Sequence, residues 1–219
     1  MCIRDSTRDI ELAPEVMSAY KQLKKDMTCV FGEGRVTAVN AASKITKLLQ
    51  VSSGGVISED GNIVPLCCKP KIDEIISLYN ENGMQPVVIS AIYSNSIEYI
   101  VEQLRTKKYR VDYINGSRST GARGLTIKEF QDGNLDFIVL QIASSAHGIT
   151  LTASNLLINF TPTMSAELSE QLHARIIRSG QTKTTIIANL VSTPTEKRFY
   201  QALKEKQKMS DIIMAEFTA

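Results

Sequence analysis

The chain has 219 residues and a mass of 24.2 kDa, a length that suits one domain with extra material or two small ones. Hydrophobic residues make up 43% and charged residues 22%, which excludes a disordered acidic tail, a collagen-like chain and a disulfide miniprotein. Lys+Arg 25 against Asp+Glu 23 leaves +2, too little for a histone-like polycation though compatible with a local basic groove, and no apolar run is long enough to span a membrane.

Met1-Cys2-Ile3-Arg4-Asp5-Ser6 has neither an apolar region nor a small-residue cleavage site, so it is not a signal peptide. One coding sequence for it, ATG TGT ATA AGA GAC AGN, resembles the transposon end used to build short-read sequencing libraries. Residues 1–6 are therefore expected to be a library scar, with the native coding sequence cut upstream of Thr7. Pro14 suits the first turn of a helix, where its missing N–H has no partner to lose, and Val16, Tyr20, Leu23 and Met27 follow as an apolar stripe. A second helix is predicted over residues 36–50, ended by Gly54-Gly55. Residues 56–66 read as a hairpin about Glu59-Asp60-Gly61-Asn62. Pro70 opens a further helix with Ile72, Ile75, Ile76 and Tyr79 on one face, and Asn82-Gly83 stops it. The cysteines are Cys2, Cys29, Cys67 and Cys68; without a C-x-x-C pair or a nearby histidine they form no zinc motif, and Cys67-Cys68 reads as a buried pair in a reducing compartment.

From there strands and helices alternate. Short apolar strands are predicted to start at residues 87, 111, 136, 156 and 184. Asn95 with Glu98 resembles a capping box opening a helix through Ile97, Ile100, Val101 and Leu104. Helices follow over 123–131 and 166–179, and Thr193-Pro194-Thr195-Glu196 starts the last one. This is the rhythm of βα units around a parallel sheet covered by helices on both faces. The expected organisation is a helical lead-in and hairpin over 7–69 and an α/β domain over 70–219.

Open α/β sheets bind ligands at the carboxyl ends of their strands, so the segments after the strands carry the function. The segment 91–96 contains no glycine, which excludes a G-x-G-x-x-G fingerprint there, and G-x-x-x-x-G-K-[ST] is absent from the chain. Residues 141–152 are rich in small and hydroxyl side chains, as suits a loop lying against phosphates. Arg175 and Arg178 stand three apart in a predicted helix, hence on one face, where two guanidiniums can clamp a polyphosphate. Asp73-Glu74 sits near a helix start rather than after a strand and reads as a solvated acid pair. Neither His147 nor His173 has a second histidine at helical spacing, so no metal motif forms.

Gln171-x-x-x-Arg175-x-x-Arg178-x-Gly180-Gln181 resembles motif VI of Swi/Snf-type ATPases of helicase superfamily two. Ser145-Ala146-His147-Gly148-Ile149-Thr150-Leu151-Thr152, followed by Leu156-Leu157-Ile158-Asn159-Phe160, resembles their motif V and the strand beyond it. Val87-Val88-Ile89-Ser90 resembles motif IV, and residues 10–15 and 48–54 resemble the helical linker between the two ATPase lobes. The flavour is that of bacteriophage members. Ala174, Ile149-Thr150, His147 and the absence of a tryptophan after the motif V strand depart from the family pattern.

The resemblance implies a RecA-like fold and the second lobe of an ATP-dependent DNA helicase or translocase. It makes Arg178 and Arg175 the catalytic arginines, and Gly148, Ile149, Thr150, Gln171, Arg175 and Arg178 the nucleotide-facing residues. It makes ATP the cofactor, with Mg2+ held by ligands on a first lobe outside this chain. DNA, single- or double-stranded, and that first lobe are the implied partners, in the cytoplasm of a host if the protein is phage-encoded. Ser94, Asn95, Ser117, Arg118, Arg123 and Ser144 then lie where nucleic-acid phosphates would run, the alternative being solvated loops. Arg105, Lys107, Lys108 and Arg110 read as a solvated basic face. Two other functions fit a parallel sheet: a small-molecule transferase, disfavoured by the missing glycine fingerprint, and a nucleic-acid-binding or partner-docking module that hydrolyses nothing.

Overall fold

The computed structural model describes residues 3–31, 34–144, 149–208 and 211. In chain order its elements are β1 (Ile3–Asp9), α1 (Pro14–Asp26), β2 (Thr28–Phe31), β3 (Gly34–Thr37), α2 (Ala41–Val51), β4 (Gly55–Ile57), β5 (Ile63–Pro65), α3 (Lys69–Glu81), β6 (Val87–Ala91), α4 (Ser94–Thr106), β7 (Val111–Ile114), α5 (Thr120–Gln131), β8 (Phe137–Gln141), a 3-10 turn (Ile142–Ser144), β9 (Leu156–Asn159), α6 (Ala166–Ile176), β10 (Thr185–Val191) and α7 (Pro194–Lys204). They form two compact units, one drawn from Met1–Arg8 and Lys71–Leu190, the other from Asp9–Pro70 and Val191–Ala219.

The first unit is a six-stranded sheet in the order β1-β10-β9-β6-β8-β7. The pairings β10 with β9, β9 with β6, β6 with β8 and β8 with β7 are all parallel. Every residue of β6 and β9 is buried, as in a sheet covered on both sides. Side chains alternate between faces along a strand. Val88, Ile138, Leu140 and Leu157 therefore share one face, where they pack with Phe130 of α5 and Leu172 and Ile176 of α6. Phe137 takes the other and meets the rings of Tyr79 in α3 and Tyr109 at 4.8 and 5.3 Å. This is the expected α/β fold with helices on both faces. The sixth strand, β1, is one that the residue pattern did not predict. Arg4, Asp5, Ser6, Thr7 and Arg8 carry no apolar alternation, and the strand exists because β10 offers it an edge.

In the second unit, the helix predicted over 36–50 resolves into a hairpin strand and a shorter helix. Cys29 and Val36 pair across β2 and β3, and both are buried. The helix starts only at Ala41, where Asn40 caps the Ser43 N–H at 2.8 Å and Ser43 returns the bond to the Asn40 N–H. Val36 and Val39 fall at helix-like steps by coincidence, whereas a two-residue cap reads the boundary directly. The β4–β5 hairpin stands where predicted, with Gly61 at φ +80° in its turn. α1 buries Val16, Ala19, Tyr20 and Leu23 and ends at Met27 in the left-handed region, φ 57°. Cys68 is buried but Cys67 is exposed, so the expected buried pair is half right.

α7 opens on the predicted capping box, and its Glu196 carboxylate is fully buried. That carboxylate accepts from Ser52 Oγ at 2.8 Å, the Ser192 N–H at 2.7 Å and Ser192 Oγ at 2.8 Å. Tyr20 Oη and Thr195 Oγ1 lie 2.6 Å apart beside it. These contacts tie α7 to α1 and to the end of α2. The segment from Val191 onward, expected within a domain over 70–219, therefore clusters with the lead-in.

Candidate functional site

The loops that leave the carboxyl ends of β6, β7, β8 and β9, with the turn after α6, make up the candidate site. All belong to the first unit. The turn after α6 differs from expectation. The helix stops at Ile176, so Arg175 is on its last turn and Arg178 lies beyond it; the two do not share a helix face. The cause is a competing donor. The Arg175 carbonyl, which a continuing helix would give to Ser179, accepts instead from the Leu151 N–H at 3.0 Å. Ile177 leaves the helical region with ψ 79°, and Gly180 completes the turn at φ +103°.

The 149–154 loop is bonded to the turn after α6 at further points. Arg178 Nη1 donates to Thr150 Oγ1 at 2.9 Å. Gln181 Nε2 donates to the carbonyls of Ser154 at 2.7 Å and Thr152 at 3.3 Å. Gln131, the last residue of α5, accepts from the Ala153 N–H at 2.9 Å and donates to Thr152 Oγ1 at 3.2 Å. Arg178 is exposed, while Arg175, Gln171, Ile149 and Thr150 are half-buried. Gln171 donates to Glu167 at 3.0 Å, and its Oε1 is buried with no hydrogen-bond partner. Gly148 lies outside the described residues, as do Ser145, Ala146 and His147.

The residues expected beside nucleic acid divide into two kinds. Ser94 is the exposed first residue of α4 and Asn95 is half-buried behind it. The cap is extended Tyr93, whose side chain makes no capping bond, so the Asn95–Glu98 box does not open the helix. Ser117 donates to Asn115 at 2.8 Å and Ser144 to Gln141 at 3.1 Å. Arg118 is turned inward. It bonds both Asp112 oxygens at 2.8 and 2.9 Å and Thr126 Oγ1 at 2.9 Å, and its guanidinium lies 4.0 Å from the Tyr113 ring. Burial raises the Asp112 carboxyl, but the bonds from Arg118 and Thr126 outweigh it and hold the group below the usual carboxylate range. Arg123 donates to the carbonyls of Arg118 at 3.0 Å, Asn115 at 3.0 Å and Gly116 at 3.1 Å. Both arginines thus shape the 115–118 loop.

The cluster at 105–110 precedes β7 and so lies at the opposite, amino end of the sheet. Arg105 approaches Asp112 at 4.0 Å, Lys107 approaches Asp73 at 3.7 Å and Arg110 approaches Asp136 at 2.5 Å. Three site features escaped the residue pattern. Gln141 bonds three loops at once. Fully buried Lys71 donates to the Phe160 carbonyl at 2.9 Å and lies over its ring at 5.0 Å. A side-chain chain also crosses four strands: Ser90 Oγ to Asn159 Oδ1 at 2.7 Å, Asn159 Nδ2 to Asn189 Oδ1 at 2.8 Å, and Asn189 Nδ2 to Asp5 Oδ1 at 2.9 Å. Polar residues inside apolar strands were the available signal for that chain. Among the described residues no group of three His, Cys, Asp or Glu could hold a metal ion, and no helix is long and apolar enough to cross a membrane.

The helicase conserved C-terminal domain matches residues 70–180, just over half of the chain. Protein p41 of Acyrthosiphon pisum secondary endosymbiont phage 1 is 23% identical over 213 residues, 94% of this chain and 44% of that protein. The DNA repair and recombination protein RAD54-like of Gallus gallus is 26% identical over 148 residues, 66% of this chain and 20% of that protein. The chain thus spans less than half the length of either relative. The Sulfolobus solfataricus SWI2/SNF2 ATPase core solved with dsDNA superposes with a TM-score of 0.70 at 20% identity, covering 99% of this chain and 48% of that one, which establishes the shared fold. The 149–154 loop and the turn after α6 meet at one sheet edge of a RecA-like fold, the family match reaches both, and the chain belongs to the helicase conserved C-terminal domain family.

Proposed function

We propose that this chain is the second lobe of an ATP-dependent DNA helicase or translocase. In this reading a first lobe outside the 219 residues supplies the phosphate loop and the metal ligands. The observation that carries the reading is the Arg178–Thr150 bond at 2.9 Å. It brings the motif VI arginine and a motif V hydroxyl to one point of the carboxyl edge while using only one of five guanidinium donors. That donor set fits a polyphosphate, as does the half-buried Arg175 one turn away. ATP supplies the phosphoanhydride whose cleavage drives the cycle. Arg178 and Arg175 hold charge on the phosphate oxygens; Gln171, Ile149 and Thr150 line the nucleotide side.

DNA is the proposed partner, on the support of the duplex-bound neighbour and the DNA-repair relative. Ser94, Asn95, Ser117 and Ser144 lie along its backbone. Arg118 and Arg123 shape their loop and leave the phosphates to others, a change from the role expected of them. The phage relative suggests a host-cytoplasm setting. The chain alone is expected to hydrolyse no ATP. Joined to the part of protein p41 that it does not cover, it is expected to regain DNA-stimulated hydrolysis. Hydrolysis by the chain alone would overturn the two-lobe reading, and a joined protein that binds DNA without turnover would favour the non-hydrolysing module.

A further inference from the structure

β8 lies between β6 and β7 in the sheet, and its last residue is Gln141. Gln141 pairs opposite Ala91 of β6, and Leu140 pairs opposite Ile114 of β7. The final side chain of the middle strand is therefore level with the exits of both neighbours. Its amide uses both ends. Nε2 donates to the Ile92 carbonyl at 3.3 Å, just after β6. Oε1 accepts from the Gly116 N–H at 2.9 Å, just after β7, and from Ser144 Oγ at 3.1 Å, in the turn after β8. A carboxylate cannot donate and an alkyl chain can do neither, so only an amide of this reach joins all three loops. These loops lead to Ser94 and Asn95, to Ser117 and to Ser144.

We infer that Gln141 is a positioning residue that sets the spacing of three strand-exit loops against a nucleic-acid phosphate backbone. The inference rests on the DNA reading proposed above. Gln141 acts through the loops and need not touch the ligand. Loops held in place before binding lose less conformational freedom when the ligand arrives, and one side chain shared by three loops keeps their mutual distances. Arg123 grips the 115–118 loop from the helix side, so Gln141 is what couples that loop to the other two.

The test uses the 219-residue chain, amide hydrogen exchange and the affinity for a fluorescein-labelled DNA duplex at several salt concentrations. Gln141→Met keeps the length and removes the amide. It is expected to speed exchange at Gly116 about tenfold while Val139, inside β8, keeps its wild-type rate. DNA affinity is expected to fall about fivefold at every salt concentration with the salt slope unchanged, since Ser94, Asn95, Ser117 and Ser144 contact phosphates as neutral donors and release no counterions. A purely structural role would speed exchange throughout the sheet, Val139 included, and that result overturns the inference. So does a variant with wild-type Gly116 exchange, or one with a loosened Gly116 and unchanged DNA binding. Should Gln141→Met fail to fold, Gln141→Asn, an amide on a stem too short to reach, must give the same pattern or the inference falls. A wild-type chain that binds no duplex would overturn the DNA reading and the nucleic-acid half of the inference, while Gly116 exchange would still decide whether Gln141 couples the loops.

Discussion

Arg178 is held by a single neutral hydroxyl, which an anion can outbid because charge-assisted bonds are about twice as strong. Replacing it should therefore cost chemistry rather than fold. In a two-lobe protein, Arg178→Ala is expected to lower the turnover of ATP by about 10³ or more and to leave DNA affinity within about twofold, read by steady-state kinetics beside fluorescence anisotropy. His173 on α6 makes a different prediction. Its Nε2 is buried with no hydrogen-bond partner, and burial depresses its basicity against the opposing pull of Asp5 and Glu170. A depressed folded value means that the unfolded chain takes the proton first. The stability contributed by neutral His173 is thus present above the ordinary value of 6.5 and is lost as pH falls below it toward the folded value. His173→Leu should flatten the urea midpoint against pH across that window, relative to the wild type. The arginines and their spacing were legible from residue types alone. The partners that turn Arg118 inward were not, because Asp112 and Thr126 come from a strand and a helix that only the fold brings together.

At the scale of elements, capping chemistry read the start of α7 correctly and periodicity misread the start of α2. Thr193 and Glu196 bond each other's backbone whatever surrounds them, so the pattern is local and survives folding. The Glu196 carboxylate does more than cap. It also takes Ser52 Oγ and both donors of Ser192 in a fully buried site. Glu196→Ala should leave those donors unsatisfied and destabilise the second unit by about 2–4 kcal/mol, with Glu196→Gln costing less, measured by urea unfolding. The early end of α6 is the converse case. Nothing within residues 166–179 forbids a helix to Ser179. A backbone N–H from the motif V loop captures the Arg175 carbonyl and ends it. Gln131 and Gln181 then hold that loop from two elements that are about 50 residues apart in the chain, so the loop and the arginine turn form one bonded piece.

At the scale of the whole molecule, the chain crosses between its two units three times, so neither is a contiguous stretch of sequence. The near-neutral charge takes on a location as well. Arg105, Lys107 and Arg110 are paired with carboxylates toward the amino end of the sheet, away from the carboxyl edge that carries the candidate site. The sequence by itself determined the α/β class, five strands of the sheet, the β4–β5 hairpin, the start of α7 and the spacing of Arg175 and Arg178 along the chain. Each of these is written in contiguous residues: apolar runs, turn glycines, a capping box, a fixed spacing. Only the tertiary structure decided the rest. An edge strand without an apolar alternation needs a neighbour's unpaired backbone; the amide of Gln141 needs three loops from three strands; Lys71 needs a carbonyl 89 residues away. Hydrogen bonds between segments distant in sequence leave no periodic trace in either segment, because each partner alone is an ordinary polar residue whose role is set by what folding brings beside it.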